Sequence, residues 1–221
     1  MRTILKIAIA LALTAGLSSC GAARKVAADA PFRKDIVLFD PVSRIDIVGR
    51  QNMKENYETI SADSQSLLKE KLCTFDCGME ISSIYVPEKL EEAYAIQDDI
   101  ITLAQWYIET DGGNLDYITI PETIDRIIEE SGHRYGMVVY SNGYSRTGGN
   151  YALEVVKTIG IGILTGWVSA PYKDETHLYL MILDSDTDRI VYNRHCFGEY
   201  SPVNDKHIEK VLKRTFSDFT R

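Results

Sequence analysis

The stretch Thr176-His-Leu-Tyr-Leu-Met-Ile-Leu183 leads into Asp184-Ser-Asp-Thr-Asp188 and then into Arg189-Ile-Val-Tyr-Asn-Arg-His-Cys-Phe197. The first segment is a nearly continuous apolar run, which is typical of a central strand buried on both faces. The short hydrophilic segment predicts a turn, and the third segment then returns as the partner strand of a hairpin. The chain is therefore expected to be organised around a β-sheet.

Short apolar runs predict the other strands of this sheet, at residues 36–39, 45–48, 79–86 and 135–144. Residues 145–150 are rich in glycine and polar side chains, so they predict a loop after the last of these runs. Together with the hairpin, these runs predict a mixed sheet of about five strands.

Apolar residues at helical spacing predict helices between the strands. Ser61 can cap the first helix, Pro87 and Pro121 can begin the next two, and Gly132 suits a left-handed helix end. The last helix follows the hairpin, and one apolar stripe on it holds Ile208, Val211, Leu212, Phe216 and Phe219. The pattern predicts an α/β (α+β) fold, with helices packed on the sheet and a C-terminal β-hairpin followed by a helix.

Residues 158–170 form an uncharged segment with three glycines. The segment is too short to cross a membrane and too rich in glycine for a clear helix prediction. Two interpretations stay open, a buried linker or strand and an exposed apolar element that touches lipid or a partner.

Aromatic residues near this segment are candidate partner or membrane contacts, since tyrosine offers rigid contact area with a polar tip. They are Tyr140, Tyr144, Trp167 and Tyr172. Alternatively, most tyrosines fill the rim of the sheet core.

The N-terminus has the order of a secretory signal, with Arg2 and Lys6 beside an apolar core at residues 4–13. The residues Leu17-Ser-Ser-Cys20 that follow resemble the lipobox of bacterial lipoproteins. This resemblance implies cleavage before Cys20 and acylation of its thiol. We therefore predict a signal peptide at residues 1–19, a flexible tether at residues 20–34 and a single domain at residues 35–221.

The charge of the chain argues against nucleic acid as a partner. The chain has 24 basic and 32 acidic residues, a formal net charge of −8. Removal of residues 1–19 takes away only Arg2 and Lys6, so the mature charge is 22 − 32, or −10. An acidic protein is not attracted electrostatically to the phosphate backbone of nucleic acids or to anionic lipid head groups. Membrane attachment therefore depends on the acyl chains.

Three cysteines remain after Cys20, in a compartment that is expected to be oxidising. Cys73 and Cys77 are four residues apart, and they either form a disulfide or are two free, buried thiols. The third, Cys196, follows His195 directly, and neighbours on a strand point to opposite faces. A Cys/His pair within this dipeptide is therefore disfavoured, although Cys196 can still meet His177 across the hairpin.

Motifs for metal, phosphate or catalysis are incomplete. Asp184, Asp186 and Asp188 have the spacing of a calcium loop, but Arg189 stands where glycine is needed. The glycines of residues 143–150 lack the lysine that a phosphate loop requires. No second cysteine pair and no histidine pair at metal spacing completes a zinc site. We therefore expect no enzymatic activity, no metal and no cofactor.

The lipobox together with the hairpin Leu178 to Tyr192 resembles envelope lipoproteins whose domains are similar to the N-terminal domain of TolB. The resemblance implies a non-enzymatic role in assembly, transport or scaffolding, with an envelope protein as partner. Gly21, in place of an aspartate, favours the outer membrane, and the absence of an acidic cluster after Cys20 favours its periplasmic face. Two alternatives remain, a membrane-inserting or pore-associated lipoprotein that uses residues 155–170 and a periplasmic hydrolase.

Overall fold

The computed structural model describes residues 26–220 apart from residues 111–114, 116 and 166–169. It confirms the predicted mixed α/β fold. Within the described residues the sheet has seven strands, where about five were predicted. The strands are β1 (Ile36–Leu38), β2 (Val42–Val48), β3 (Lys54–Asn56), β4 (Ile81–Ile84), β5 (Tyr135–Arg146), β6 (Asp174–Asp184) and β7 (Arg189–Gly198). The helices are α1 (Glu58–Thr74), α2 (Leu90–Glu109), α3 (Glu122–Glu130), α4 (Gly148–Thr165) and α5 (Asp205–Thr215).

Strand β5 is the centre of the sheet. On one side its first residues pair in parallel with β1 and its later residues pair in parallel with β2. On the other side its whole length except the last residue pairs antiparallel with β6, which pairs with β7 as the predicted hairpin. β4 and β3 flank β1 and β2, so the sheet divides into two adjoining halves along β5.

The prediction that helices pack on the sheet is confirmed, and they lie on both of its faces. Side chains alternate along a strand, so Leu178, Leu180 and Ile182 of β6 enter one core with α1 and α5. Tyr179 and Met181 enter a second core with α2 and α3. The prediction that this strand is buried on both faces is confirmed, and we call the two sides the α1/α5 face and the α2/α3 face.

Several element ends differ from the prediction. Helix α1 begins at Glu58, and Ser61 is not its cap, because the Ser61 Oγ accepts a hydrogen bond from the Ile45 amide at 2.9 Å. Helix α2 begins at Leu90, so Pro87 lies before the helix. The predicted left-handed end of α3 is confirmed at Gly132, which has a φ of 72°.

The strand β3 was not predicted from the sequence, and β5 is longer than predicted. β3 has the sequence Lys-Glu-Asn, and all three of its residues are exposed. β5 continues to Arg146 and α4 begins at Gly148, so the predicted loop at residues 145–150 is almost absent.

Part of the predicted tether is packed against the domain. The Val26 amide donates a hydrogen bond to the Asp218 carbonyl at 3.1 Å. The Arg33 guanidinium donates to the Gly78 carbonyl at 2.6 Å and to the Phe219 carbonyl at 2.8 Å. Residues 26–34 are thus held against the domain by these hydrogen bonds. Residues 20–25 and the predicted signal peptide lie outside the described residues.

The uncharged segment at residues 158–170 begins as a helix. Its first part belongs to α4, whose exposed apolar residues include Val156 and Ile161, with 66% and 59% of their surface exposed. Of the two interpretations of this segment, the described residues agree with the exposed apolar element. Trp167 lies outside the described residues. No described helix combines the length and the hydropathy needed to cross a bilayer.

The cysteines do not form the pair considered at residues 73 and 77. Both are free thiols; Cys73 is exposed, and Cys77 is buried with its Sγ 3.7 Å from the Met79 carbonyl. Burial raises the pKa of the Cys77 thiol. Because the two side chains lie in different environments, the structure supports the free-thiol alternative, with one thiol buried rather than two.

Cys196 does not meet His177 across the hairpin. A register shift between Ile182 and Leu183 changes the β6–β7 pairing by one residue, and a shift of one residue exchanges the two faces of a strand. His177 therefore lies opposite Phe197, while Cys196 lies opposite Leu178 in the α1/α5 core.

Candidate functional site

The α2/α3 face has a part that α2 covers and a part over which the described residues place no helix. Where β5 and β6 pass under α2, their side chains are apolar, as at Val138 and Met181. Near the C-terminal end of α2, Tyr107 packs edge-on against Tyr179 and Ile108 lines an open groove. Beyond this point the same strands carry polar and aromatic side chains. We call these two parts the covered half and the bare half.

Strand register arranges the side chains of this region in three rows that run across the strands. Directly opposed residues have Cβ atoms about 4.5–5.5 Å apart, so each row is a series of neighbours. The row next to α2 holds Tyr140, Tyr179 and His195. The second row holds Arg44, Asn142, His177 and Phe197. The third row holds Asn56, Asp46, Tyr144 and Glu175.

The members of these rows on β2, β3, β5 and β6 line a groove of about 380 Å³, and His195 and Phe197 of β7 lie beside it. Lys54 of β3 and Gly143 of β5 complete the lining. Gly143 is required here, since a Cβ at this position would lie 2.0 Å from the Glu175 carbonyl oxygen. The floor of the groove is therefore a rigid sheet whose side chains are positioned by backbone pairing.

His177, which lines the groove, shares a hydrogen bond with the neighbouring His195 of β7. His177 Nε2 lies 2.8 Å from Glu175 Oε1, and His177 Nδ1 lies 3.0 Å from His195 Nε2. The His195 ring stacks on Tyr179, with the ring centroids 4.3 Å apart and the planes inclined by 3°. Glu175, His177 and His195 thus form a continuous chain of hydrogen bonds.

The tyrosines of the groove stay protonated at neutral pH. Burial raises the pKa of Tyr140 and Tyr144, and it raises the pKa of Tyr179 to about 12. The Tyr144 ring lies between two cations, with Lys54 Nζ at 5.3 Å and Arg146 Cζ at 5.2 Å from its centroid. The groove therefore presents neutral phenols, one of which is held by cation–π contacts.

The charged side chains in the groove differ in their partners. Glu175 is engaged by His177 and lies 3.4 Å from the Tyr144 hydroxyl. In the part of the chain that the structure describes, Arg44 and Asp46 form no hydrogen bond and no ion pair through their side chains. These two neighbours on β2 are therefore available to a ligand.

The residues predicted as contacts have different locations. Tyr140 and Tyr144 both line the groove, but Tyr140 is buried and forms its floor, so it does not project as a free contact. Tyr172 lies apart from the groove lining, and its carbonyl accepts a hydrogen bond from Arg146 Nε at 2.9 Å. Trp167 and the predicted lipidation site Cys20 lie outside the described residues.

Other predicted motifs lie elsewhere. Asp184 pairs with Arg134 through bonds of 3.0 and 2.8 Å, which ties the Asp-rich turn to the end of the sheet opposite the groove. No group of three His, Cys, Asp or Glu side chains within the described ranges is placed to hold a metal ion. The groove lining contains no serine, threonine or cysteine.

Sequence reasoning missed the polar residues of the groove. Glu175, His177 and Tyr179 follow one another at intervals of two residues on β6, so the alternation of side chains along a strand places all three on the same face. The sequence pattern therefore contained this information. The contact between His177 and His195 depends on the register shift in β6–β7, which no local pattern reveals.

No protein-family model matches this chain, and no curated protein matches its sequence. Among solved structures, the fold is similar to the PelC dodecamer from Paraburkholderia phytofirmans, with a TM-score of 0.35 and 8% identity over 93% of this chain and 100% of that chain. A point variant of the same PelC gives a TM-score of 0.37 with the same identity and coverage. The LpoB C-terminal domain from Salmonella enterica gives a TM-score of 0.27 and 9% identity, over 72% of this chain and 78% of that chain. The resemblance to TolB stays a prediction.

Proposed function

We propose that this protein is a lipid-anchored, non-enzymatic binding or assembly component of the bacterial envelope, and that it docks an envelope protein on the bare half of its sheet. The observation that carries the docking role is the three-row array of polar and aromatic side chains on a rigid, open sheet face. The lipobox-like residues 17–20 support the anchor, and Gly21 supports the periplasmic face of the outer membrane.

The position of the N-terminal segment supports a docking role over a role in membrane insertion. Phe32 stacks on Tyr192, which pairs with Ile182 near the Tyr135 end of the sheet, whereas α4 follows the Arg146 end of β5. At about 3.3 Å per residue, the two ends of β5 are separated by roughly 35 Å. Six chain steps from Cys20 to Val26 reach at most about 21 Å. A lipid on Cys20 is thus expected to hold the Tyr135 end of β5, away from the Arg146 end where α4 begins.

Membrane insertion through α4 is the second candidate, because its apolar side chains are exposed. A variant with Cys20→Ala and without residues 1–19 tests it with vesicles of neutral phosphatidylcholine. Co-sedimentation of this variant that is lost in Val156→Glu would favour insertion. Absence of co-sedimentation supports the docking role.

The anchor is tested by feeding cells an alkyne analogue of palmitate and detecting the label on the purified protein. We expect label on the parent chain and none on Cys20→Ala, and mass spectrometry should find Cys20 as the first residue. An unlabelled parent chain that retains Met1 would contradict the anchor and the location with it.

The docking surface is tested with a photo-crosslinking amino acid placed at Asn142, at the centre of the groove. Lys206, which is exposed on α5, is the matched control position. We expect a discrete adduct with an envelope protein from position 142 and none from position 206. Equal labelling from both positions, or none from position 142, would contradict the proposed surface.

A further inference from the structure

We propose that the open edge of β4 binds an extended, uncharged segment of another protein, which adds to the sheet as a further strand. Apolar side chains of this segment lie in a groove between β4 and the end of α1. The inference goes beyond the proposed function, because β4 pairs with β1, whereas the groove of the bare half lies on β2, β3, β5 and β6.

Main-chain groups of β4 are directed away from the sheet. β4 pairs in parallel with β1, and no other strand of the described residues pairs with it. The Tyr85 amide donates a hydrogen bond to the Leu38 carbonyl at 2.9 Å. Successive residues of a strand direct their main-chain groups to opposite edges, so the amide and the carbonyl of Ile84 point away from β1. An added strand can therefore pair with them.

The strands at the two ends of the path β3-β2-β5-β1-β4 differ in the protection of their edges. Charged side chains on an edge strand disfavour pairing with another chain. β3 has this protection in its exposed Lys-Glu-Asn sequence, whereas β4 has the uncharged sequence Ile-Ser-Ser-Ile. The Ile84 side chain is 42% exposed, and Val86, just after the strand, is 66% exposed. Of these two edges, β4 is thus the one suited to pairing.

A groove of about 430 Å³ lies beside β4 on the α1/α5 face. Leu72 and Phe75 line it from the end of α1, and Ile81 and Ile84 line it from β4. A register shift in the β1–β4 pairing leaves one extra residue in β4, so both isoleucines reach the groove although they are three residues apart. Among the described residues of the lining, Asp76 alone is charged.

The edge and the groove together specify the ligand. In strand addition, main-chain hydrogen bonds provide affinity and pockets for alternate side chains provide specificity. Every second side chain of an added strand points to the same face, so the expected segment has apolar residues at alternate positions and no charge. A regular strand of another protein fits this edge better than β4 of a second copy, because two bulged strands leave main-chain groups unpaired where they meet.

The test uses two synthetic hexapeptides of alternating threonine and valine, made soluble by a terminal polyethylene glycol chain. One of them is N-methylated at every peptide bond, so it has the same side chains but no main-chain donors. Each is titrated into the Cys20→Ala variant without residues 1–19, and amide hydrogen exchange is followed by NMR. We expect the unmethylated peptide alone to bind and to slow exchange of the Ile84 amide about tenfold at saturation. No binding, equal binding of the two peptides, or slowed exchange on β3 instead of β4 would overturn the inference.

A charge on the edge provides a second test. Ile84→Lys gives β4 the kind of side chain that protects β3, and it should weaken binding of the unmethylated peptide about tenfold or more. Val203→Lys is the matched control, since Val203 is 41% exposed and lies outside the sheet, and it should bind with the parent affinity. Urea titration checks that both variants fold. Equal affinity of the two variants would contradict the site, and the comparison of the two peptides on the parent chain needs neither variant.

Sedimentation equilibrium without peptide separates another protein from a second copy. We expect a monomer at all concentrations tested. A dimer that is lost in Ile84→Lys would reject the separate partner and assign the edge to a second copy. These outcomes are independent of the adduct from position 142, because Asn142 lies in the bare half and not beside β4.

Discussion

The covered half and the bare half of the α2/α3 face are made by the same two strands, yet they have opposite chemistry. On β6 the residues of this face change from Leu183 and Met181 through Tyr179 to His177 and Glu175. The strand continues without a break, and backbone pairing extends through both halves. The difference lies in the helix layer, because α2 ends beside the row of Tyr179.

This comparison separates the role of side-chain packing from that of backbone pairing between strands. In the covered half, side chains stabilise the fold by burial of apolar area, about 25 cal/mol per Å². In the bare half, pairing with β2 and β6 fixes the backbone, so its side chains are free to differ. A substitution should therefore affect stability in one half and ligand binding in the other.

The largest expected effect comes from placing a residue of the bare half in the covered half. Met181→His inserts an imidazole among fully buried apolar side chains such as Ile100, where it leaves polar atoms without partners. We expect the free energy of unfolding to fall by about 3–5 kcal/mol. Urea unfolding measures it, with Met181→Leu as a control that should cost less than about 1.5 kcal/mol. A small loss in Met181→His would mean that the covered half is not tightly packed.

A smaller effect is expected from Gly143→Ala, which tests whether pairing alone positions the bare half. The added Cβ would clash with the Glu175 carbonyl, so β5 and β6 must separate locally. We expect a loss of about 1–3 kcal/mol. Gly160→Ala in α4 is the matched control, since nothing lies within 4 Å of its Cβ, and helix propensity predicts a gain of up to about 1 kcal/mol. Equal effects at the two glycines would contradict this account of β5.

The smallest effect concerns Asp99 on α2, the helix that covers the apolar half. Burial raises the pKa of its carboxyl group, although the Thr123 side chain and the Ile124 amide partly offset this. The stability due to the protonated form is full below the unfolded pKa of about 3.9 and is lost as the pH rises through the folded pKa. Asp99→Asn should therefore stabilise the protein by at most about 1 kcal/mol at pH 7.5 and by less at pH 4.5. Urea titrations at the two pH values measure the difference, and the reverse order would contradict it.

Most of the fold could be predicted because buried strands and helices carry period-two and helical apolar patterns. The run at residues 176–183 and the stripe from Ile208 to Phe219 are of this kind, and the core contains both. β3 could not be predicted, since its exposed Lys-Glu-Asn sequence pairs only by its backbone. α4 was obscured by its glycines, which lower helix propensity.

The site could be predicted only in part. Tyr140 and Tyr144 are four residues apart on β5 and therefore point to the same face of the sheet, and both line the groove. The histidine pair depends on the register shift between Ile182 and Leu183; without it, His177 would lie opposite Cys196. The openness of the groove depends on where α2 ends relative to the sheet, which is a tertiary property that the sequence of β6 does not contain.

The most direct test of the two-half account is to measure the free energy of unfolding of His177→Met and Met181→His, together with the adduct formed from the crosslinking position 142 in each variant. The account predicts that His177→Met changes stability by less than about 1 kcal/mol and loses most of the adduct. Met181→His should lose stability, yet the fraction that is folded should form the adduct with the parent yield. If His177→Met is as unstable as Met181→His, or if it forms the adduct with the parent yield, the division of the sheet into a stabilising half and a binding half is wrong.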